Sequence, residues 1–390
     1  MNVLFLRPQP AIRSIKYALA FKTVKENINI YHAYTGKTLN ELYGYGDEHF
    51  IKMIKLDSRN LQKGLQQIVK DYKIHLIHSQ NAPDFLTRKA IETVPNIPTI
   101  HENQDSISLR KTPYNPGAHI PTQLIDEKIS NEECDARIHV SNELYKYIRN
   151  RYGPKPEIIF PNYISESLIP RSLKEKLSKS DRQLHIVYEG TLASYRGDHY
   201  DLREIFTQIA SHRFHIHIYD SHYNTDYLDL AKQSEYIHYH GHLDPRDLLL
   251  EMSQYDFGWS GFNTKMNKEH IDVALPNKLF EYISCSLPVL SYRHKAQKKF
   301  IETENVGLTF GTINEMASQL KNEEKIAQIR RQVLSKRYEF TVEKNIDKLI
   351  HFYKEVVASN SKKHRGASYQ SFLNNCLTLS SRSARATLPH

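Results

Sequence analysis

The sequence predicts an α/β protein of two doubly wound domains that face each other across a cleft. The chain has 390 residues, which suffices for two domains of about 150 residues each and an extension. Short apolar runs alternate with segments of helical periodicity, a pattern typical of βαβ units around a parallel sheet. This alternation stops in the proline-rich residues 151–170 and then begins again. The sequence therefore indicates two domains of one class, with a linker near residue 165.

The predicted elements follow the two halves of the chain in order. In the first half, strands are predicted at residues 3–6, 28–31, 75–78, 98–100 and 136–140, with helices from residue 12, over 61–72 and over 84–93. In the second half, strands are predicted at 185–188, 214–219, 236–239, 257–259 and 288–291, with helices over 202–210, 227–232, 245–252 and 277–284. The acidic residues 126–135 are predicted to form a solvated helix. An apolar stripe over 338–356 predicts a final helix.

Composition and charge exclude several classes of protein. No run approaches the roughly 18–20 apolar residues of a membrane span, and no secretory signal precedes the first strand. Three cysteines, Cys134, Cys285 and Cys376, lie far apart, which favours a reducing cytosol over a disulfide framework. Five of the nine net positive charges lie after Glu355. No nucleic-acid-binding module accompanies them, so we expect residues 359–390 to form a basic, disordered tail.

The segment from Pro276 to Pro288 carries the clearest chemical pattern. Pro276 opens a predicted helix, and Lys278 and Glu281 stand three residues apart on one helical face. A helix N-terminus has free N–H groups and a positive dipole end, which suit phosphate. A neighbouring carboxylate can accept hydrogen bonds from two ribose hydroxyls. The segment therefore predicts a site for phosphate and ribose groups.

Through these residues the chain resembles the family 4 glycosyltransferases and their relatives of the GT-B fold. Their signature reads approximately Pro-x-Lys-x-x-Glu-Tyr-x-x-x-x-x-Pro-Val, and it agrees here with Pro276, Lys278, Glu281, Tyr282 and Pro288-Val289. Further agreements occur in the family's order at Val140-Ser141, Pro161-Asn162, Tyr188-x-Gly190-x-Leu192, Arg196-Gly197, Gly241, Asp256-Phe257-Gly258 and Gly307. The resemblance covers about residues 1–355 and is strongest over 185–310.

The resemblance implies a fold and an activity. It implies a Rossmann-like acceptor-side domain at residues 1–165, a Rossmann-like nucleotide-sugar-binding domain at 166–335, and a crossover helix at 336–358. It also implies transfer of a sugar from a UDP- or GDP-sugar to a glycan, glycolipid or other glycoconjugate acceptor, with retention. No Asp-x-Asp occurs in the chain, so we expect no metal and no other cofactor.

The resemblance also implies roles for particular residues. Arg196 and Lys278 would neutralise the departing diphosphate, and Glu281 would hold the ribose. His101 and Glu281 would be the catalytic residues. His101 would face the donor sugar from the first domain. The implied donor site is completed by Asn277, Gly190 and Thr191.

The chain departs from the family pattern at three places. The family's first Glu, eight residues before Glu281, is Val273 here, and the Arg that often follows the strand-end glycine is Thr191. The first loop, residues 7–10, contains no glycine. These departures admit a second hypothesis, a catalytically impaired GT-B-like nucleotide-binding or scaffold subunit. A nucleotide-sugar epimerase of the same architecture is a third, although no acid–base carboxylates can be placed for it.

The 21 histidines raise the question of a metal site. His215 and His217 alternate along one predicted strand, and His238, His240 and His242 alternate along the next, so each set shares one strand face. Zinc binds such a face only when a third or fourth ligand converges. We therefore predict hydrogen-bonded structural histidines and no metal site.

The expected location follows from these observations. We expect a cytoplasmic protein on which a nucleotide sugar meets a glycan or lipid-linked acceptor, without nucleic acid. A basic tail suits an anionic membrane surface, so peripheral contact with the inner face of the membrane is a further expectation.

Overall fold

The computed structural model describes residues 1–112 and 119–360, so the predicted basic tail lies outside the described residues except at its first two positions. The first domain contains a seven-stranded sheet. Its strands are β1 Asn2–Leu6, β2 Asn29–Tyr34, β3 Lys52–Lys55, β4 Leu76–Gln80, β5 Thr99–Asn103, β6 Ala136–His139 and β7 Glu157–Ile159. Its helices are α1 Ile12–Phe21, α2 Leu39–Tyr43, α3 Leu61–Asp71, α4 Phe85–Thr93, α5 Ile120–Glu133 and α6 Asn142–Tyr152. The strand order is β3-β2-β1-β4-β5-β6-β7, and all neighbours are parallel.

The second domain contains a six-stranded parallel sheet. Its strands are β8 His185–Gly190, β9 His215–Asp220, β10 Ile237–Gly241, β11 Phe257–Trp259, β12 Val289–Tyr292 and β13 Gly307–Phe310. Its helices are α7 Ser178–Asp181, α8 Arg203–Ser211, α9 Thr225–Ala231, α10 Pro245–Met252, α11 Lys268–Val273, α12 Asn277–Ser284, α13 Lys295–Glu304, α14 Ile313–Leu320 and α15 Glu323–Ser335. The strand order is β10-β9-β8-β11-β12-β13. In both sheets the order reverses beside the first strand, and ligands of such folds bind at the carboxyl ends of the strands there.

A last helix, α16, covers residues 342–360 and returns to the first domain. Its apolar side chains, among them Val342, Ile346 and Leu349, belong to the core that also holds Phe5. The ring of Tyr353 stacks on Phe21 at 5.9 Å. The chain thus leaves the first domain, forms the second domain and then returns to the first domain through α16.

The predicted fold class is confirmed: the chain forms two doubly wound α/β domains. Strands covered on both faces by helices are usually near-continuous apolar runs, and Val3 to Leu6 of β1 are accordingly fully buried. Gly258 of β11 lets helix α12 approach the sheet, because a Cβ at this position would lie 2.2 Å from the ring of Tyr282.

Strands β3, β7 and β13 and several helices were not predicted, and helix α5 differs from its predicted character. Strand β3 was missed because its sequence Lys-Met-Ile-Lys is that of a half-exposed edge strand, and β7 lies inside the segment taken for the linker. Helix α5 is not a solvated acidic helix, since Glu127 is fully buried and accepts hydrogen bonds from Ser106 at 3.0 Å and Tyr152 at 2.6 Å. No helix in the described ranges is both long and apolar enough to span a bilayer.

Candidate active site

A cavity of about 140 Å³ lies between the two domains, at the carboxyl ends of their strands. The first domain contributes Gln104 and Asp105, which directly follow β5. The second domain contributes His199, His270 and, at the start of helix α12, Asn277. This is the place at which a ligand would bind in a pair of doubly wound domains.

Two residues of the first domain and linker hold the loop that leads into helix α12. The hydroxyl of Ser141 donates a hydrogen bond to the carbonyl of Val273 at 2.6 Å. The amide of Asn162 donates to the carbonyl of Leu275 at 2.9 Å. Both residues belong to the dipeptides that the sequence shares with the glycosyltransferases, so these dipeptides fix the approach to the helix that carries Lys278.

Lys278 brings a buried ammonium group to the first turn of α12. Its side chain is 6% exposed, and its Nζ has no hydrogen-bond partner among the described residues. The Nζ lies 4.1 Å from the ring centroid of Tyr188 and 5.0 Å from that of Phe262, which stabilises a cation only in part. Burial lowers the pKa of Lys278 to about 8, against the opposing effect of Glu189 and Glu281. The site thus holds a buried ammonium group that lacks a hydrogen-bond acceptor among the described residues.

Gly190 lies beside this ammonium at the end of β8. Its φ of +119° is a conformation that favours glycine, and a Cβ there would lie 3.8 Å from the Nζ of Lys278. Thr191 follows as an exposed residue whose carbonyl accepts a hydrogen bond from the hydroxyl of Tyr188 at 2.5 Å. The strand end is therefore fixed next to Lys278 without a side chain of its own in front of it.

Glu281 forms a bridge between the domains. Its Oε1 accepts a hydrogen bond from the Nζ of Lys16 on helix α1 at 2.8 Å, and the Lys16 side chain is only 1% exposed. Burial and the nearby Glu281 raise the pKa of Glu189 well above its usual range. Burial opposes the ionisation of Glu281, but the Lys16 ammonium outweighs it and keeps the pKa of Glu281 below its usual range. Of this pair, Glu281 therefore loses its proton the more readily, and Glu189 keeps its proton to higher pH.

The structure brings together some of the predicted residues and separates others. Lys278, Glu281, Asn277 and Gly190 lie around the start of α12, and Asn277 places its Oδ1 3.4 Å from the Nζ of Lys16. Arg196 is exposed and lines a neighbouring groove of the second domain, together with Asp201, Arg203 and Lys265. Its predicted contact with the diphosphate stays a prediction.

The position of His101 differs from the prediction that it faces the donor sugar. Its side chain is fully buried, with Nε2 3.2 Å from the Oδ1 of Asp84 and Nδ1 3.2 Å from the hydroxyl of Thr87. The physical reason is that His101 lies within β5 and points beneath helix α4, whereas Gln104 and Asp105 beyond the strand reach the cavity. A catalytic role for His101 is therefore not supported by its placement.

Sequence reasoning missed several residues of the cleft. His270 has its Nε2 3.6 Å from the Oδ1 of Asp105 across the domain boundary, and burial lowers the pKa of His270 to about 4. The Nδ1 of His199 accepts a hydrogen bond from the amide Nδ2 of Asn267 at 3.1 Å. The one available signal was for Lys16, a charged residue within the otherwise apolar stripe of α1. His199 and His270 carry no such signal, because they come to line the cleft only when distant loops pack together.

Two facing doubly wound domains with a cleft between their strand ends define the GT-B fold, and the comparisons with known proteins agree. Residues 196–350 match the family model described as "Glucosyltransferase 3-like, C-terminal domain". No curated protein sequence matches the chain. The prediction of a GT-B glycosyltransferase is confirmed for this family domain and for the fold of the whole chain.

Three solved structures illustrate the similarity. Sucrose-phosphate synthase from Thermosynechococcus elongatus is 12% identical with a TM-score of 0.67, covering 92% of this chain and 100% of its own. HepE from Anabaena, solved with UDP-glucose, is 14% identical with a TM-score of 0.64, covering 93% and 100%. WaaG, a glycosyltransferase involved in lipopolysaccharide biosynthesis, is 13% identical with a TM-score of 0.58, covering 88% and 98%. At such identities these structures show the fold alone.

Proposed function

We propose that the protein transfers a sugar, with retention and without a metal ion, from a nucleotide diphosphate donor bound in the inter-domain cavity to a glycan, glycolipid or other glycoconjugate acceptor. The observation that carries this proposal is the buried, unpartnered ammonium of Lys278 at the N-terminus of α12. A buried ammonium without a hydrogen-bond acceptor costs stability, and such a cost is explained if the ligand supplies an anionic acceptor.

The chemistry needs a cation at this position. When the bond between the sugar and the diphosphate breaks, negative charge gathers on the departing diphosphate. A preorganised ammonium in a water-poor site stabilises that charge far better than one in water, and loss of such a group typically costs about 10²–10³-fold in turnover. The free N–H groups at the start of α12 act in the same direction. Lys278 would thus bind the donor and favour its cleavage.

Glu281 and its neighbours would hold the ribose. Glu281 is ionised and reaches the cleft from α12, one turn after Lys278. In the structure its carboxylate forms an ion pair with the Nζ of Lys16. A ribose that donates its hydroxyl hydrogens to Glu281 would therefore bind next to Lys16 and Asn277, with the diphosphate towards Lys278.

UDP-glucose is the first donor to test, because HepE was solved in complex with it and the matched family is glucosyltransferase 3-like. We infer a cytoplasmic reaction on a glycan or lipid-linked acceptor. Membrane contact through the basic tail stays a prediction that concerns residues outside those described.

Proton uptake on binding gives a sharp test. A diphosphate beside Lys278 favours the charged ammonium and raises its pKa above about 8. Calorimetric titration of UDP at pH 9, repeated in buffers of different ionisation enthalpy, should therefore show uptake of close to one proton by the protein. Lys278→Met should abolish this uptake, and Lys298→Met, at an exposed position of α13, should not. Uptake that survives Lys278→Met would contradict the proposed role.

Donor turnover separates the active enzyme from the alternative of an impaired binding subunit. The full chain is incubated with UDP-glucose and other UDP- and GDP-sugars, and released UDP or GDP is measured with Lys278→Met and Arg196→Ala in parallel. The proposal expects release that Lys278→Met lowers by about 10²-fold or more. Nucleotide binding without release from any donor would favour the impaired subunit. No binding of any nucleotide sugar would refute the proposed enzyme and the nucleotide-binding subunit and would leave the scaffold subunit.

A further inference from the structure

Five histidines form an array on one face of the second sheet, at its β8-β9-β10 edge. They are His185 on β8, His215 and His217 on β9, and His238 and His240 on β10. The prediction that alternate histidines share a strand face is met by His215 with His217 and by His238 with His240, and their ring centroids lie 6.4 Å apart in each pair. The sequence did not indicate that His185 would join them.

One end of this array brings four potential ligands together. One ligand atom each from Asp181, His185 and His215 lies within 4.8 Å of the other two. The Nε2 of His185 is 2.9 Å from the Oδ2 of Asp181, and the Nε2 of His215 is 2.8 Å from the Oε1 of Gln183. Two imidazole nitrogens, a carboxylate and an amide oxygen therefore converge. The Asp181 side chain is 37% exposed, so an ion can reach them from solvent.

We propose that Asp181, His185 and His215 bind one divalent transition-metal ion of the zinc class, with the side-chain oxygen of Gln183 as a fourth ligand. Imidazole and carboxylate are ligands that Zn²⁺ accepts in tetrahedral sites at about 2.0–2.2 Å. Tetrahedral ligand atoms at that distance stand about 3.4 Å apart. Small shifts of the exposed Asp181 and Gln183 side chains would complete the site.

The second ring nitrogens of both histidine ligands are already held. The Nδ1 of His185 lies 2.9 Å from the Nε2 of His217, and the Nδ1 of His215 lies 2.8 Å from the Nε2 of His238. His217 continues the chain, with its Nδ1 3.0 Å from the Nε2 of His240. If each Nδ1–H donates to the next ring, each Nε2 lone pair is free for the metal. Such outer partners fix the tautomer and orientation of metal-binding histidines.

The position of the site indicates what the ion does. His185 and His215 are the first residues of β8 and β9, so the site lies at the amino ends of strands whose carboxyl ends face the cleft. Asp181 ends the short helix α7, which follows the linker. The ion would fasten this incoming segment to the sheet edge and would take no part in sugar transfer. The inference therefore stands independently of the proposed function.

Zinc binding by the full chain tests the inference. The protein is treated with a chelator, and ZnCl₂ is then titrated in competition with a chromophoric chelator. We expect one tightly bound ion per chain and a rise in melting temperature on binding. His215→Gln and Asp181→Asn should each weaken binding by more than about tenfold, and His238→Gln, which removes an outer partner, by about tenfold.

His351→Gln is the matched control. His351 also stands beside a carboxylate, 3.2 Å from Glu355, but on the exposed surface of α16. This variant should bind zinc as the unaltered chain does. The inference is overturned if no tight ion binds, or if Asp181→Asn and His215→Gln bind zinc as tightly as His351→Gln. Asp181 is partly exposed, so Asp181→Asn should stay folded and decide the test even if His215→Gln does not fold.

Discussion

Two buried clusters of charged side chains differ in whether each charge has a partner. The first-domain cluster comprises Arg13, Glu102, His78, Tyr17 and Tyr353. Arg13 donates to Glu102 and, at 2.6 Å, to Tyr17, while the other oxygen of Glu102 lies 3.0 Å from His78. Burial would raise the pKa of Glu102, but Arg13 outweighs it and lowers that pKa to about 2.

The interface cluster comprises Lys16, Glu281, Glu189 and Lys278. Lys16 and Glu281 are paired, but the ammonium of Lys278 has no hydrogen-bond acceptor. The cations of the two clusters, Arg13, Lys16 and Lys278, are buried to a similar extent, so burial of the cation alone does not distinguish the clusters. The comparison teaches that a satisfied network stabilises the fold, whereas an unsatisfied charge at a cleft indicates a place for a ligand.

The largest effect should come from breaking the first-domain cluster. Glu102→Gln leaves the Arg13 guanidinium buried without its carboxylate, and removal of one partner of a buried pair costs about 3–5 kcal/mol. The free energy of unfolding, measured in urea, should fall by that amount. Glu92→Gln is the control, because Glu92 is a half-exposed partner of Lys89 and should change stability by less than about 1 kcal/mol. If Glu102→Gln and Glu92→Gln lower the free energy of unfolding equally, the buried cluster contributes no more to stability than an exposed ion pair.

The next expected effect concerns Lys278, and here loss of the charge should increase the free energy of unfolding. Its pKa is about 8 in the folded protein and about 10.4 when unfolded. Below pH 8 Lys278 is protonated in both the folded and the unfolded state, and its buried charge lowers the stability of the folded state. Between pH 8 and 10.4 the unfolded state binds more protons than the folded state, so stability rises with pH. From pH 8 to pH 9.5 the gain should approach about 2 kcal/mol.

Lys278→Met should remove the share of this rise that Lys278 contributes and should stabilise the protein near pH 7, whereas Lys176, whose pKa burial likewise lowers to about 8, should keep a rise of its own. The measurement is a series of denaturant titrations at fixed pH, with Lys298→Met as the control that keeps the rise. If Lys278→Met destabilises the protein at pH 7 and leaves its pH dependence unchanged, the ammonium is satisfied in solution and the comparison fails.

The fold was largely predictable because its cause is local. The apolar runs of β1, β8 and β12 and the start of α12 at Pro276 all follow from periodicity and from helix-capping chemistry. The edge strand β3 was not predictable in this way, since the exposed lysines at its two ends are typical of an exposed segment.

The candidate site was predictable only where its residues lie in one segment. Lys278, Glu281 and Asn277 share α12, and the spacing between them survives in the structure. His101 illustrates the limit, because sequence shows that it belongs to a strand but not which face of the sheet it occupies. Asp105 and His270 meet only through the packing of two domains, and no pattern within either loop indicates that contact.

A smaller effect is expected from breaking the Lys16–Glu281 ion pair of the interface cluster. Lys16→Met removes the ammonium that holds the pKa of Glu281 low, so Glu281 should take up a proton more readily and the link between α1 and α12 should weaken. We expect a loss of about 1–3 kcal/mol in unfolding free energy. Lys22→Met, at the exposed end of the same helix, is the control. A loss no larger than that of Lys22→Met would show that the bridge contributes nothing.

The smallest effect should come from the edge of the first-domain cluster, where helix α16 touches it. The hydroxyl of Tyr353 lies 2.5 Å from the Nδ1 of His78, and a single net hydrogen bond contributes about 0.5–1.5 kcal/mol. Tyr353→Phe keeps the ring stacked on Phe21 and removes only this bond, so unfolding free energy should fall by about 1 kcal/mol. Tyr338→Phe, at a ring 45% exposed, should change it by less. Because Tyr353 belongs to the segment that returns from the second domain, a loss as large as that of Glu102→Gln would mean that this bond contributes as much to the first-domain cluster as the Arg13 ion pair does.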